Sequence, residues 1–474
     1  MMASQIILEE KFMKLRNSKP APQNLRPKIQ RVAEYLRNRE NFEKYYTPKL
    51  VSIGPIHHEN ANLKLGEEYK LIWAEKYIEK TELNPQNLHK QIADNIVELK
   101  GHFADDVLAL TGTKESLEGF TSLEEKLSWM LFVDGCSLLY ILEHADLTKP
   151  EPMNIKVDQL VLVMMDVLLL ENQLPYLVLK LLWKNANEAE LKYTMKEFLN
   201  CHHWATPENK RSWRSRIQGH FEVQNNKKDE EKEEQQQQHS VLVPIPNESQ
   251  PELPVHLLDL QRKIILTKSS SKTKGEEANN ENQGPKNSEE LMTYRNIQDL
   301  RAAGIKLKSS GTRRPTDIGF SEGWFAAKLT LPEIVVDDTT KSTFLNLIAY
   351  EMCPDFKNDY GICSFAAFMD SLIDHPEDVK ELRSKGILLN SLGSDEEVAD
   401  LFNVISTDLV PNPLTYCEVR AKIHKHYCNT CKTWIALGIH TYFNNPWAFI
   451  AFLAAFIALA LTFVQTWFAI NPAS

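Results

Sequence analysis

Two histidines stand directly after a forced turn, in Val51-Ser-Ile-Gly-Pro-Ile-His-His58. Gly54 and Pro55 fix the backbone there. His57 and His58 can then titrate near neutral pH or contact a ligand, and the same run can equally be a packed turn. Glu171, Asn172 and Gln173 lie between apolar runs, Leu168-Leu-Leu170 and Leu174-Pro-Tyr-Leu-Val-Leu179. Burying three polar side chains costs several kcal/mol unless each is hydrogen-bonded, so they form either a network tying a helix break to neighbouring backbone or a recognition pocket. His57, His58, Glu171, Asn172 and Gln173 are therefore the candidate binding residues.

Other clusters read as structural. His424, His426, Cys428 and Cys431 are zinc-ligand types, but in a helical stretch 424 and 426 point to different faces. Asp337 and Asp338 can bind a cation, or cap the helix that follows in Thr339-Thr-Lys-Ser-Thr-Phe344; no further acids stand at loop spacing. The pairs His57-His58 and His202-His203 have no second half with metal spacing. The chain has no G-x-S-x-G, Walker loop, strand-linked G-x-G-x-x-G or H-E-x-x-H. Expected, then, are no catalytic residues, metal or cofactor, and a binding protein rather than an enzyme.

These residues must be held by helices. From Gln86 to Leu110, apolar side chains recur every three or four residues, which predicts one helix. Ser122 and Glu125 form a capping box opening a helix through Trp129-Met-Leu-Phe-Val-Asp134, and Ser394 with Glu397 opens another through Phe402 and Ile405. Lys156 to Trp183 reads as a buried helix pair broken before Pro175, too interrupted by Asp166 and Glu171 to cross a membrane. Residues 222–239 and 268–289 are charged and low in apolar content, hence expected flexible insertions. Between them, Pro251-Glu-Leu-Pro-Val-His-Leu-Leu-Asp-Leu260 and its continuation form a short helix with little beyond its apolar face to hold it. After a helix closed by Gly304, the stretches 305–308 and 324–331 predict a small hairpin.

The expected fold is mainly α, a large helical body with a minor β element and one C-terminal transmembrane helix. The organisation is an N-terminal extension (1–26), a first part of the body (27–221), insertions flanking a short segment (222–290), a second part (291–436) and the transmembrane helix (446–470). Pro446 to Ile470 carries no charge and, at about 1.5 Å per residue, spans roughly 37 Å, enough to cross a hydrocarbon core of about 30 Å. Trp447 and Trp467 fit the two interfaces.

Arg420, Lys422, Lys425 and Lys432 precede this helix and nothing basic follows, so the bulk is expected in the cytosol. Asn247-Glu-Ser249 is a glycosylation acceptor that would instead report a lumenal body. The first residues lack the continuous apolar run of a signal peptide, so the anchor is expected to insert after synthesis. A net charge of −10 argues against a phosphate-neutralising surface, hence no nucleic-acid partner is expected. Seven scattered cysteines in 474 residues predict reduced thiols.

In order along the chain stand Pro27-Lys-Ile-Gln-Arg-Val32, Tyr46-Thr-Pro48, the 51–58 turn, Val133-Asp-Gly-Cys-Ser137, Asp166-Val-Leu-Leu-Leu-Glu-Asn-Gln-Leu-Pro175, Leu300-Arg-Ala-Ala-Gly-Ile-Lys306, Ile348-Ala-Tyr-Glu351, Gly393-Ser-Asp-Glu-Glu-Val398 and Asn445-Pro-Trp447. This ordered set resembles the plant family called domain of unknown function 247, also labelled UPF0481, from about residue 27 to the anchor. The chain departs from the family pattern at Ile56, where Tyr is common, and at Glu59, where Gly is common.

The resemblance implies a plant protein with a helical body and one C-terminal membrane helix, in the plasma membrane or an endomembrane. It implies little about activity, for the family has no established catalysis, cofactor or active site; some grass members are linked to self-incompatibility recognition. The functional expectation is a membrane-anchored interaction or signalling component with a protein partner. The alternative is an enzyme of unfamiliar type using the His57/His58 turn.

Overall fold

The computed structural model describes residues 11–13, 15–16, 27–200, 253–267, 296–428 and 446–470, with short breaks at 39–40, 59, 112–116, 118, 186, 324–326, 358 and 408. Most of the extension 1–26, both insertions, Cys201, His202-His203, Asn247-Glu-Ser249 and Cys431 lie outside the described residues. In chain order the helices are α1 (Glu34–Arg37), α2 (Phe42–Tyr46), α3 (Lys64–Thr81), α4 (Pro85–Asp94), α5 (Ile96–Lys100), α6 (Asp105–Thr111), α7 (Leu123–His144), α8 (Val157–Asp166), α9 (Tyr176–Leu182) and α10 (Glu188–Asn200). After residue 252 come α11 (Leu257–Ile265), α12 (Ile297–Ala302), α13 (Thr340–Glu351), α14 (Gly361–Asp370), α15 (Pro376–Ser384), α16 (Asp395–Ile405), α17 (Cys417–Tyr427) and α18 (Pro446–Ile470). The fold is thus mainly helical with a minor β element, as expected.

The capping signals place helix starts well. Ser122 Oγ accepts from the Glu125 N–H at 3.2 Å, and Ser394 Oγ from the Glu397 N–H at 3.2 Å. Each glutamate reaches one residue further back than a simple box requires, Glu125 to the Thr121 N–H at 2.9 Å and Glu397 to the Gly393 N–H at 3.3 Å. Asp337 is a cap, accepting from the Thr339 and Thr340 N–H groups at 2.9 and 3.0 Å.

Two expectations fail. The single helix over 86–110 is three: it breaks once at Asn95, and again at Phe103, whose neighbours His102 and Ala104 exchange backbone bonds with Ile29 at 2.8 and 2.9 Å. At the second break, tertiary pairing with the N-terminal segment overrides helical periodicity. The expected hairpin is also absent. β1 (Ile305–Ser309) pairs in parallel with β3 (Ala327–Leu331), and β2 (Gly319–Ser321) lies antiparallel on the other edge of β3. The turn Pro315–Asp317 redirects the chain between them. A second parallel pair joins β4 (Ile334–Val336) to β5 (Leu388–Asn390).

Two apolar clusters form the interior. One centres on α7, buried along almost its whole length, with α3, α4, α9 and α10 against it. Gly135 permits the approach of α9, since a Cβ there would lie 2.4 Å from Leu182 Cδ1. The other centres on α13, with α2, α14, α16 and the strands around it. The N-terminal segment crosses between them: Ile29, Leu50, Val51 and Ile53 belong to the first cluster, Val32, Leu36 and Tyr46 to the second. α18 contrasts with both, for the window Ile450–Trp467 has a mean hydropathy of 2.0 and none of it is buried.

Candidate functional site

Residues 47–58 form no helix or strand, so their buried backbone groups need side-chain partners. Asp166, the last residue of α8, accepts from three successive N–H groups: Lys49 at 2.9 Å, Leu50 at 2.7 Å and Val51 at 2.9 Å. Asn172 extends the ladder. Its Oδ1 accepts from the Ile53 N–H at 2.6 Å, and its Nδ2 donates to the Val51 and Asp166 carbonyls at 2.9 and 2.8 Å. The Gly54 N–H goes to Asp134 Oδ2 on α7 at 2.8 Å.

Two glycines make this close approach feasible. Gly54 has φ +79°, and a Cβ there would stand 2.7 Å from the Gln173 carbonyl oxygen. A Cβ on Gly66 of α3 would stand 1.8 Å from the Leu50 oxygen.

Below the loop is a buried ion pair. Lys70 Nζ, on α3, donates to Asp134 Oδ1 at 2.6 Å and pairs with Glu67 at 2.8 Å; Ser52 Oγ donates to Glu67 at 2.5 Å. Burial drives the Asp134 carboxyl upward against the pull of Lys70. It also opposes the Lys70 charge, but Asp134 and Glu67 outweigh it and hold Lys70 above its ordinary value. Burial pushes Asp166 up to about 6 despite its three N–H donors.

The sequence-predicted residues meet here. Glu171, 3% exposed, accepts from the Val32 N–H at 2.8 Å, lies 3.8 Å from Arg37 Nε, and faces His57 Nε2 at 3.2 Å. Gln173 Nε2 donates to the Val167 and Leu169 carbonyls at 2.9 and 2.8 Å, closing the turn between α8 and α9. Its Oε1 accepts from the Leu258 N–H of α11 at 3.1 Å. His58 is half-buried and acts electrostatically on Asp134. Asn172 and Gln173 are bonded to backbone groups, as is Glu171 Oε1, while Glu171 also faces His57 and Arg37. A small hollow beside the turn, lined by Met165, Leu168, Leu169, Thr339, Ser342 and Thr343, encloses about 10 Å³, room for about one water molecule.

A second polar cluster escaped sequence reading. Glu351 at the end of α13 accepts from Arg262 Nε at 2.7 Å and from the Ile362 and Cys363 N–H groups at 2.9 Å each, capping α14. Asp259 accepts from Tyr350 Oη at 3.1 Å and the Val255 N–H at 2.9 Å, and pairs with Lys263 at 2.8 Å. His256 is the N-cap of α11, its Nδ1 accepting from the Asp259 N–H at 3.2 Å; complete burial drives its pKa down to about 4. α11 therefore corrects the expectation of a weakly held helix: seven of its nine residues are buried, Asp259, Gln261 and Arg262 among them. The apolar face was legible, but the partners of Asp259 and Arg262 lie on distant elements and carry no local signal.

At the C-terminal end, His426 is buried, 3.2 Å from the Ala303 carbonyl, whereas Cys428 Sγ lies 3.6 Å from His424 Nε2. The two histidines thus serve different faces of α17. The described cysteines are free thiols, Cys136, Cys353 and Cys363 buried and Cys417 and Cys428 exposed.

A family described as a plant protein of unknown function matches residues 29–461. A UPF0481 protein of Arabidopsis thaliana is 26% identical over 446 residues, covering 90% of this chain and 83% of the relative. A putative UPF0481 protein of the same plant is 27% identical over 177 residues, 37% of this chain and 33% of its own length. No solved structure matches.

Proposed function

The chain belongs to the plant family DUF247, and on that premise we propose that it is a membrane-tethered interaction or signalling component, whose helical body binds a protein partner at the cytosolic surface of the plasma membrane or an endomembrane. The observation that carries this reading is α18, an apolar helix that no described part of the body covers. Leaving such a surface in water is unfavourable by about 25 cal/mol per Å², and a lipid core removes the penalty. Arg420, Lys422 and Lys425 on α17 favour the cytosolic side for the body.

Affinity capture from detergent-solubilised plant membranes, with the full chain and with a chain ending at Asn445, tests the proposal. A partner recovered reproducibly with the full chain is expected; none with either chain would sink it.

A second reading, an enzyme of unfamiliar type, draws on the 3.2 Å contact of His57 with Glu171. It requires that His57→Gln abolish turnover of some small molecule while leaving the circular dichroism and melting temperature of the protein unchanged. Under the interaction reading the same change loosens the loop and lowers the melting temperature.

A further inference from the structure

Among the described residues, exposure divides the free cysteines by place. Cys136, Cys353 and Cys363 are buried in the body, whereas the two exposed thiols, Cys417 and Cys428, stand at the two ends of α17. With 3.6 residues per turn, such a separation turns the helix by three full turns and only about 20° more, over roughly 16 Å of its length. Both thiols therefore lie on one face. That face points outward: Ile423 and His426 are buried, Val419 and Tyr427 pack against the cluster around α13, and Glu418, Ala421, Lys422 and Lys425 are exposed beside the thiols.

The surroundings suit a bilayer surface. Val410 and Leu414, 52% and 66% exposed, present apolar side chains in the segment that leads into α17. Lys425 stands exposed between the thiols, and Lys422 pairs with Glu418 on the same helix. The next described element is α18, which begins at Pro446. At no more than about 3.4 Å per residue, the covalent chain holds the Cys428 thiol within roughly 60 Å of that helix. Accessible cysteines beside a membrane helix are acceptors for reversible S-acylation.

We propose that Cys417 and Cys428 are S-acylation sites, through which the outward face of α17 is laid on the cytosolic leaflet. This rests on the reading of the chain as membrane-tethered with its body in the cytosol, and deepens it: α18 fixes the chain to the bilayer, and the acyl chains fix how the body sits on it. The donor is a long-chain acyl thioester. The cysteine sulfur attacks its carbonyl carbon, a carbon–sulfur bond forms to the cysteine as the bond to the carrier sulfur breaks, and the thiol proton passes to the departing thiolate. Nothing is oxidised or reduced. At Cys428 the His424 ring, with Nε2 3.6 Å from Sγ, is placed to relay that proton. The chains then enter the hydrocarbon core, and Lys425 on the same face meets anionic headgroups.

For the test, the full chain is expressed in plant cells, membranes are washed with carbonate, free thiols are blocked, and thioesters are cleaved with neutral hydroxylamine before the new thiols are captured. Hydroxylamine-dependent capture is expected for the natural chain. It is expected to be lost in the double variant Cys417→Ser with Cys428→Ser, whose circular dichroism stays helical because both positions are exposed. A natural chain that stays in the washed pellet without being captured overturns the proposal, as does undiminished capture of the double variant. The wash reads the anchor and the capture reads the thiols, so the two failures are distinct: a natural chain released by carbonate overturns the tether reading, and this proposal with it.

Discussion

At the residue scale the molecule is organised by side chains that end on backbone. Gly54 shows how tightly. Its positive φ and the carbonyl 2.7 Å from a prospective Cβ leave alanine no comfortable place, so Gly54→Ala is expected to destabilise the body by about 1–3 kcal/mol in chemical denaturation. An unchanged midpoint would mean that the loop yields freely.

Asp166 gives a pH-dependent test. Its folded pKa of about 6 lies above the ordinary 3.8, so the folded state holds its proton more tightly. The associated stability is fully present below pH 3.8 and is lost as pH rises through about 6. At about 1.4 kcal/mol per unit this comes to roughly 3 kcal/mol. Measured by denaturation at pH 4 and pH 7, the stability of Asp166→Asn relative to the natural chain should improve by about that amount; a difference constant with pH would refute the assignment. Glu171, Asn172 and Gln173 were legible because three polar residues interrupt an apolar run. Their partners, the N–H groups of Val32, Ile53 and Leu258, carry no sequence signature, since every residue but proline has one.

At the element scale, starts of helices were legible and their neighbours were not. Ser122, Ser394 and Asp337 announce α7, α16 and α13 through local hydrogen bonds, which depend on spacing alone. The parallel pairing of β1 with β3 depends on a crossover, and the break at Phe103 depends on Ile29, both set by distant residues. α11 makes the same point energetically. Arg262→Met leaves Glu351 buried with only two N–H partners and is expected to cost about 3–5 kcal/mol, whereas Arg262→Met with Glu351→Gln should cost much less than the sum of the single changes. A double-mutant cycle by thermal denaturation reads the coupling directly, and additive effects would show that the pair stabilises nothing jointly.

At the scale of the whole molecule, the division into a folded body and an uncovered apolar helix was legible from composition, because charge is absent from 446–470 and frequent before it. Replacing Ala458 with Arg is expected to weaken insertion by about 2.5–3.5 kcal/mol, more than a hundredfold. The variant should become carbonate-extractable while its circular dichroism stays helical; retention in the washed membrane pellet would point to a second attachment. How the two halves interlock was not legible, for it rests on the crossing of residues 29–46 from one cluster to the other.

That crossing imposes a timetable on synthesis. The Lys28 N–H bonds Asp355 at 2.6 Å, and the Tyr45 carbonyl accepts from Ser342 and Asn346 at 3.0 and 2.9 Å. Ribosomes add about 5–20 residues per second, so these early residues wait roughly 15–65 seconds before their partners exist. Val32, Leu36 and Tyr46 share their apolar cluster with α13, so that part of their burial arrives only at the end of the interval.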